Sequence, residues 1–506
     1  MNARSPITQP PYIEFGVQSN FSFLRGASKP EELVVTACLL GHAGMGLADR
    51  NSVAGVVRAW SQSKHIKLSE DAGAVWLPYH PGCRLVFEDG TPDILAYPQD
   101  REGWGHLCRM LTQANLREEA EKGATLLKRD DLLEWGDRLS LAILPDLSAA
   151  PEDNLALIRR FKDRFGGDLW LAVAPDYHGD DRFRLEQAAA IAESAGVPLM
   201  ATNDVLYHSA ERRPLQDVLT AIRLNTPVAE VGLALSANAE RHLKTPGEMA
   251  RLFRRYPEAL SETLRFAERL TFSLDELKHN YPEETTEEGV DPQTELERLT
   301  WEGAERRYPE GVPEKVKKLI RHELAIVAGK KYARYFLTVH DIVRYARSEE
   351  VDILCQGRGS AANSVICFCL HITEVNPALT DVLFERFVST ERDEPPDIDV
   401  DFEHERREEV IQYIYSKYSE KRTALAAAVT SYRGRSALRE VAKAMGLSDD
   451  VRSALSGSIW GWSTSGVGEK EAKAAGIDLA DPTTRHVVTR VNEIIGFPRH
   501  LTQHVG

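Results

Sequence analysis

The alternation of polar and apolar positions is most regular at residues 396–402. The sequence there is Pro-Asp-Ile-Asp-Val-Asp-Phe, so every second residue is a carboxylate. Because side chains alternate between the two faces of a β-strand, the pattern predicts a strand with Asp397, Asp399 and Asp401 on one face and apolar residues on the other. Carboxylates on one face repel each other, and a divalent cation is the usual compensation. The stretch therefore predicts a metal-binding strand.

Strand-like and helix-like stretches alternate between residues 12 and 215. The predicted strands are Ile13–Val17, Met45–Ala48, Arg84–Phe87, Leu139–Leu144, Leu169–Val173 and Leu199–Thr202. Helices are predicted between them, for example Pro30–Leu40 and Arg184–Ala195, and the second of these is followed by the stop signals Gly196 and Pro198. Strands that alternate with helices indicate an α/β layer or barrel.

The rest of the chain is predicted to be mainly helical, with one loop of a different character. Helices are expected over 215–277, 294–346, 406–418 and 433–495, and the acidic stretch 279–289, with its Pro and Gly, is expected to be a linker. Gly357-Arg358-Gly359-Ser360 is a loop of small residues with one arginine, which suits a phosphate group. A phosphate loop about forty residues before an Asp-x-Asp strand indicates metal-assisted phosphoryl chemistry.

Composition narrows the class of protein. A length of 506 residues indicates about three domains. The net charge of −15 excludes a globally basic nucleic-acid coat, but a nucleotidyl enzyme that uses metal ions needs an acidic site and can place its cations locally. The six cysteines include no Cys-x-x-Cys pair, which argues against a zinc ribbon and for a reducing compartment. No signal peptide or membrane span is visible, so a soluble cytoplasmic protein without a membrane partner is expected.

Five motifs in a fixed order resemble one known family. They are Tyr335-Phe336-Leu337, residues 357–364 (Gly-Arg-Gly-Ser-Ala-Ala-Asn-Ser), residues 383–387 (Leu-Phe-Glu-Arg-Phe), residues 396–402, and Arg499 followed by Gln503-His504-Val505-Gly506. Their order and spacing resemble the bacterial C-family DNA polymerases, the family of the polymerase III α-subunit. Residues 19–28 (Ser-Asn-Phe-Ser-Phe-Leu-Arg-Gly-Ala-Ser) and 177–181 (Tyr-His-Gly-Asp-Asp) resemble its error-prone branch, which acts in damage-induced mutagenesis.

The resemblance implies a domain order. It implies an α/β chain with an N-terminal PHP-type (β/α)7 barrel over 1–280 and a polymerase-β-like nucleotidyltransferase palm over 281–430. A helical thumb would follow over 431–497, and the start of a second palm segment over 498–506. The third catalytic carboxylate and the fingers of the family would lie beyond residue 506, so the 506-residue chain alone is expected to be a fragment that does not polymerise.

The implied function is template-directed DNA polymerase activity in translesion synthesis, DNA repair and the SOS response. The implied partners are a DNA primer-template and dNTPs, with a sliding clamp and damage-induced mutagenesis accessory proteins bound through parts of the polymerase beyond this chain. Two alternatives stay open: a PHP-type metal-dependent phosphoesterase, and a non-catalytic scaffold that docks partners.

The resemblance also assigns roles to residues. Asp399 and Asp401 are implied as catalytic ligands of a two-metal Mg²⁺ site. The implied nucleotide-binding residues are Gly357, Arg358, Gly359, Ser360, Arg386 and Arg392. The loop would offer backbone N–H groups and the Ser360 hydroxyl to the β- and γ-phosphates. The competing interpretations are an exposed acidic strand, a plain strand-to-helix turn, and arginines that pair with local carboxylates.

A basic group in the expected thumb has two interpretations. Arg433, Arg435, Arg439 and Lys443 recur at helical spacing, so they could follow a DNA backbone. A solvated helix face explains the same spacing.

The metal-ligand positions of active PHP domains are replaced in this chain. Where the family has a His-x-His strand, this chain has Phe15-Gly16-Val17-Gln18-Ser19, and where it has an Asp-His pair, this chain has Asp49-Arg50. Gly82-Cys83-Arg84 stands in place of Gly-Cys-Glu, and Asp204-Val205-Leu206 in place of the late Asp-x-His. Only Asp49 and Asp204 remain, and Arg50 or Arg84 is expected to replace a cation beside one of them. No PHP metal and no proofreading nuclease are therefore expected. Structural roles are expected for His42, His106, His178 and His208.

Overall fold

The computed structural model describes residues 10–68, 76–120, 123–278, 281–282, 289–380, 384, 387–388, 397–457 and 480–503. The chain is a mixed α/β protein that divides into two units. The N-terminal unit comprises Met1–Leu277 with Val429–Thr502, and the second unit consists mainly of residues 278–428. The expected linker at 279–289 falls at this division, but most of it lies outside the described residues.

A seven-stranded sheet forms the centre of the N-terminal unit, and its strands are adjacent in sequence order. They are β1 Ile13–Val17, β2 Gly44–Arg50, β3 Tyr79–Leu85, β4 Ile94–Pro98, β5 Leu139–Ile143, β6 Leu169–Val173 and β7 Leu199–Ala201. Neighbours pair in parallel, except that β4 runs antiparallel to both β3 and β5. The sequence prediction missed β4 and placed β3 too late, at residues 84–87.

Ten helices are described between residues 30 and 268. They are α1 Pro30–Leu39, α2 Val56–Leu68, α3 Arg101–Asn115, α4 Arg129–Trp135, α5 Pro151–Phe165, α6 Asp181–Ala195, α7 Arg213–Leu224, α8 Val228–Val231, α9 Pro246–Leu252 and α10 Glu258–Glu268. Leu107, Phe161 and Ile191, from α3, α5 and α6, are buried in one core with strand residues of β3 to β7. The outer helices therefore cover the sheet, as the alternating pattern predicted.

The sheet is curled so that its first and last strands approach each other. The Thr202 hydroxyl oxygen, just after β7, lies 2.7 Å from the carbonyl oxygen of Phe15 in β1. Inside the curl, Phe266 of α10 makes edge contacts with Phe15, Tyr97 and Trp170 at centroid distances of 4.8, 5.7 and 4.9 Å. Aromatic packing of this kind fills the space that the curl encloses.

The residues expected to form a thumb share a core with the N-terminal unit. The elements are α16 Gly434–Ala444, α17 Asp449–Gly457 and α18 Pro482–Ile494, flanked by the paired strands β10 Ala427–Ser431 and β11 Pro498–Gln503. Leu438 of α16 and Val491 of α18 are buried with Leu215 of α7 in one hydrophobic cluster. These helices match the predicted helical segment, and the boundaries of the four expected domains stay a prediction.

The second unit is helical around a two-stranded antiparallel sheet, as far as its residues are described. Its elements are α11 Pro292–Arg307, α12 Glu314–Lys330, α13 Ala333–Ala346, β8 Cys355–Arg358, α14 Val365–Cys369, β9 Asp399–Phe402 and α15 Arg407–Tyr418. Strands β8 and β9 pair antiparallel. The predicted helical block, the Asp strand and the helix after it are present, whereas a polymerase-β-like palm stays a prediction.

Candidate active site

The antiparallel pairing of β8 with β9 brings the glycine-rich loop and the acidic strand together. In the antiparallel register Arg358 lies opposite Asp399, and Gln356 lies opposite Asp401. Both aspartates are exposed, while the alternate residue Val400 packs against the core of this unit. The predicted alternation of the strand is therefore present, and the loop after β8 lies beside the first carboxylate of β9.

Two glycines of the loop are required by the local geometry. The Gly357 N–H donates to the Ile372 carbonyl at 2.6 Å, and a Cβ at this position would lie 2.7 Å from that oxygen. Gly359 has a φ of +66°, and a Cβ there would lie 3.4 Å from Asp399 Oδ2. The Gly357 N–H already has an acceptor in Ile372, and the role of Gly357 in nucleotide binding stays a prediction.

The arginine and the serine of the loop contact the acidic strand. Arg358 Nε pairs with Asp401 Oδ2 at 2.8 Å, and both side chains are more than half exposed. The Ser360 hydroxyl donates to the Asp397 carbonyl at 2.9 Å. Because an exposed ion pair contributes at most about 1 kcal/mol, a phosphate or a metal ion can displace the Arg358 contact at little cost.

Tyr335, from the first of the five motifs, supports the acidic strand. Its hydroxyl oxygen accepts the backbone N–H of Ile398 at 3.0 Å. Burial, the largest cause, raises the pKa of Tyr335 to about 12, so the phenol is neutral at physiological pH. The motif therefore contributes a fixed acceptor at the start of β9.

Sequence reasoning missed Glu323, which supports the loop from behind. This fully buried residue of α12 accepts the N–H groups of Val365 (2.8 Å) and Ile366 (3.1 Å) and the hydroxyl of Ser364 (2.9 Å). A carboxylate at a helix N-terminus satisfies donors that have no partner within the helix. The available signal was a glutamate on the apolar side of α12, beside Leu324.

The sequence analysis names two further sets of basic residues. Arg386 and Arg392 lie outside the described residues. Arg433, Arg435, Arg439 and Lys443 are all exposed on or next to α16. Lys443 Nζ donates to Asn225 Oδ1 at 2.6 Å, and both interpretations of this basic face stay open.

The carboxylates suit a magnesium ion only in part. Across the portion of the chain that the structure describes, no three or more His, Cys, Asp or Glu side chains are grouped to hold a metal. Asp399 and Asp401 still offer two carboxylates on one exposed face. Mg²⁺ is commonly bound through one or two carboxylates together with water and substrate phosphates, so the two aspartates fit part of such a site.

In the N-terminal unit, the Asp49 carboxylate accepts hydrogen bonds from hydroxyl and backbone N–H groups. It accepts the Ser19 N–H, the Ser19 hydroxyl and the Ser22 hydroxyl, each at 2.7 Å. Burial raises its pKa to about 6, although these hydrogen bonds oppose the shift. No ion pair joins Asp49 to Arg50 in the described structure, so of the two expected arginines Arg50 does not pair with this aspartate.

Asp204 is the carboxylate that pairs with arginine. Arg84 Nη1 contacts Asp204 Oδ1 at 2.5 Å, and its Nε contacts Asp93 at 2.7 Å. Arg241 also pairs with Asp204. Burial opposes ionisation of Asp204, but the charges of Arg241 and Arg84 outweigh it and lower the pKa. Of the two arginines expected beside the remaining aspartates, Arg84 is therefore the one that pairs with Asp204.

Each of the four histidines named from the sequence contacts a protein oxygen. The pairs are His42 with the Lys244 carbonyl (2.8 Å), His106 with the Asp137 carbonyl (2.9 Å), His208 with the Ser28 hydroxyl (2.8 Å) and His178 with the Asp176 carboxylate (3.5 Å). Burial lowers the pKa of His42 to about 4, so its ring is neutral at physiological pH. These contacts are those of structural histidines.

No helix among the described residues combines the length and the apolar composition that crossing a membrane requires.

Comparison with known proteins supports the resemblance read from the motifs. Residues 294–506 match the family model for the bacterial DNA polymerase III alpha NTPase domain. The chain belongs to the bacterial DNA polymerase III α-subunit family, which confirms the family expected from the sequence.

Its relatives in that family carry a more specific description. The chain is 74% identical over 506 residues to the error-prone DNA polymerase of Mesorhizobium japonicum, covering 100% of this chain and 44% of the relative. It is 56% identical over 496 residues to error-prone DNA polymerase 1 of Rhizobium meliloti, covering 98% and 43%. The chain therefore spans less than half the length of these relatives.

Among solved structures, an amidohydrolase from Chromobacterium violaceum aligns with 38% of this chain and 87% of its own, at 14% identity and a TM-score of 0.31. A score this low carries no argument about fold or function.

Proposed function

We propose that this chain supplies part of the catalytic region of a template-directed DNA polymerase of the error-prone type. The reaction is transfer of a nucleotidyl group from a dNTP to a primer 3′-hydroxyl, with DNA primer-template as the second substrate. The observation that carries the proposal is the antiparallel pair of strands β8 and β9, which sets a Gly-Arg-Gly-Ser loop beside two exposed carboxylates, Asp399 and Asp401.

Four residues of the two strands and the loop have roles in this proposal. Asp399 and Asp401 would hold Mg²⁺, which when bound lowers the pKa of the 3′-hydroxyl and neutralises the leaving pyrophosphate. Arg358 would leave Asp401 and bind the triphosphate. The missing Cβ of Gly359 leaves room for a phosphate or an ion beside Asp399. A third carboxylate from sequence beyond this chain would complete the site.

The N-terminal unit would act as a PHP-type barrel without nuclease chemistry. Arg84 and Arg241 neutralise Asp204, and two serines occupy Asp49, so neither of these remaining aspartates is available to a metal ion without the loss of existing contacts. A polymerase without proofreading suits translesion synthesis in DNA repair and the SOS response in the cytoplasm. The clamp and the accessory proteins would bind elsewhere in the whole polymerase.

The test uses a polymerase of full length. This chain is joined to the remaining part of the Mesorhizobium japonicum relative, and primer extension is measured with Mg²⁺ and four dNTPs. Asp399→Asn and Asp401→Asn are expected to abolish extension without changing the thermal midpoint. Glu405→Gln, which removes an exposed charge just after β9, is the matched control and should retain activity. Extension that survives in either aspartate variant would reject the assignment.

A second measurement compares the 506-residue chain alone with the joined polymerase. Activity is expected only from the longer protein, because the third carboxylate is proposed to lie outside this chain. Extension by the short chain would mean that another carboxylate completes the site. Asp397, on the same exposed face, is the first candidate, and Asp397→Asn would identify it.

A further inference from the structure

A cavity of about 540 Å³ in the N-terminal unit is lined by residues of α7, α16, α17 and β11. Cavities that bind small molecules commonly measure about 300 to 1,000 Å³. The α7 side of this cavity is apolar, with Ala221 and Ile222, and Leu24 and Pro227 extend that surface. The other elements contribute cations, so the cavity suits a ligand that has both an apolar part and a negative charge.

Helix α16 turns a basic edge toward this cavity. Arg439 and Lys443 are four residues apart, and so are Glu440 and Ala444, which places both pairs on neighbouring lines of one helix face. Leu438, between these positions and the core, is buried with residues of α7 in one hydrophobic cluster. Because packing fixes α16 against α7, the cavity is formed before a ligand binds, and this lowers the entropic cost of binding.

The cations of the cavity share one carboxylate. Among the described residues that line the cavity, Glu440 is the single acidic side chain. Its Oε1 accepts a hydrogen bond from Arg499 Nε at 2.8 Å and lies 3.8 Å from Arg439 Nη2. Lys443 Nζ donates instead to a neutral acceptor, Asn225 Oδ1, at 2.6 Å. Arg439, Lys443 and Arg499 together therefore carry more charge than Glu440 neutralises.

A fourth cation, Arg452 of α17, adds to the positive charge. It pairs with the exposed Asp449, while its Nε is buried and lacks an acceptor among the described residues. The carboxyl ends of α7 and α16 also lie beside the cavity, and each contributes about half a negative charge. These partial charges are smaller than the excess of the side chains, so the cavity stays positive and has capacity for an anion.

We propose that this cavity binds a nucleoside monophosphate. The phosphate would lie at Arg439 and Lys443, since guanidinium groups bind phosphate through paired, charge-assisted hydrogen bonds and an ammonium group adds a compact charge. The nucleoside would pack against the apolar side formed by α7. Inorganic phosphate would leave that side uncovered, and an uncharged ligand would leave the cations uncompensated. The site uses no residue of β8 or β9 and does not depend on the polymerase reaction.

The experiment measures dTMP binding to the 506-residue chain by isothermal titration calorimetry. EDTA is present, so that no divalent cation bridges the nucleotide to carboxylates elsewhere. The test variant is the double substitution Arg439→Gln with Lys443→Gln. The matched control is Arg182→Gln with Arg255→Gln, which removes the same charge from two exposed arginines paired with Glu186.

Two further variants separate the parts of the ligand and the two proposed sites. Ile222→Trp, at a half-buried position, fills the apolar side of the cavity and keeps every charge. Arg358→Gln alters the glycine-rich loop of the proposed active site and leaves the cavity unchanged. Thymidine and inorganic phosphate are titrated beside dTMP, since each of them carries only one part of the nucleotide.

The wild type, the matched control and Arg358→Gln should bind dTMP at least about tenfold more tightly than the test variant and Ile222→Trp do. Thymidine and phosphate should each bind the wild type at least about tenfold more weakly than dTMP. Equal affinity in all five proteins, or no binding to the wild type, would overturn the proposal. Loss of binding in Arg358→Gln alone would place the nucleotide at the glycine-rich loop and would overturn it too.

A structural role for the two cations predicts a different result. Arg439 and Lys443 are exposed, so the test variant should keep the thermal midpoint of the wild type in the absence of ligand. A lower midpoint with unchanged affinity for dTMP would mean that the pair serves folding, and would overturn the proposal. If Ile222→Trp does not fold, the test variant and the comparison of dTMP with thymidine decide the question.

Discussion

Glu14 provides a quantitative test of the buried polar groups in the N-terminal unit. It lies on β1, is fully buried, and accepts hydrogen bonds from the Tyr12 hydroxyl (2.8 Å), the Thr202 hydroxyl (2.8 Å) and the Asn203 N–H (2.9 Å). Burial raises its pKa from 4.5 to about 7, and the hydrogen bonds only partly oppose this shift. The perturbation is Glu14→Gln, which keeps one acceptor oxygen and cannot ionise.

The expected magnitude follows from the difference in pKa. An unfolded glutamate titrates near 4.5 and the folded one near 7, and each unit corresponds to about 1.36 kcal/mol. Because the folded pKa is the higher one, ionisation costs no stability below pH 4.5. The cost grows as the pH rises and reaches about 3 kcal/mol above pH 7. Glu14→Gln should therefore gain about 3 kcal/mol relative to the wild type over this interval.

The assay is urea unfolding followed by tryptophan fluorescence across this pH range. Trp170 lies in the same core as Phe15 and reports on it. Subtracting the wild-type free energy of unfolding from that of the variant removes other titrations, such as that of Asp49. Glu193→Gln, at an exposed position, should give a difference that does not change with pH. A difference for Glu14→Gln that is equally flat would refute the reasoning.

Three further predictions follow from single contacts. Asp204→Asn leaves two arginines without their shared carboxylate and should lower the free energy of unfolding by about 3 to 5 kcal/mol, measured by urea titration. The control Asp180→Asn, at an exposed position, should change this free energy little. Glu323→Ala leaves buried donors unpaired and should lower the free energy of unfolding by about 1 to 3 kcal/mol, whereas Glu323→Gln, which keeps an acceptor, should lower it less in the same urea titration. Gly357→Ala places a Cβ 2.7 Å from the Ile372 oxygen and should reduce primer extension by the joined polymerase more than Glu405→Gln does; equal activity would contradict the close approach.

The fold could be predicted from the sequence where an element is marked by a local run of apolar residues and by turn or helix signals at its ends. Strands β1 and β6 begin and end where the sequence predicted them, because their apolar runs are bounded by clear turn or helix signals. Strand β4 was missed. It has five residues, ends in a proline and follows β3 with no helix between, so it lacks the alternation with helices that identified the other strands.

The candidate site was predictable in its residues but not in their partners. Motif order alone identified the loop at 357–360 and the aspartates at 399 and 401. It did not show that Arg358 pairs with Asp401, or that the Gly357 N–H is already used by Ile372. These partners lie 15 to 43 residues away in sequence, and no local periodicity encodes such distances.

The sequence by itself determined the family and the period of the acidic strand, since both depend on residue identity and short-range spacing. Only the tertiary structure decided that Arg84 and Arg241 converge on Asp204 and that serines donate hydrogen bonds to Asp49. The reason is physical. Hydrogen bonds and ion pairs act over a few ångströms in space, and only the folded chain brings such distant residues within that range.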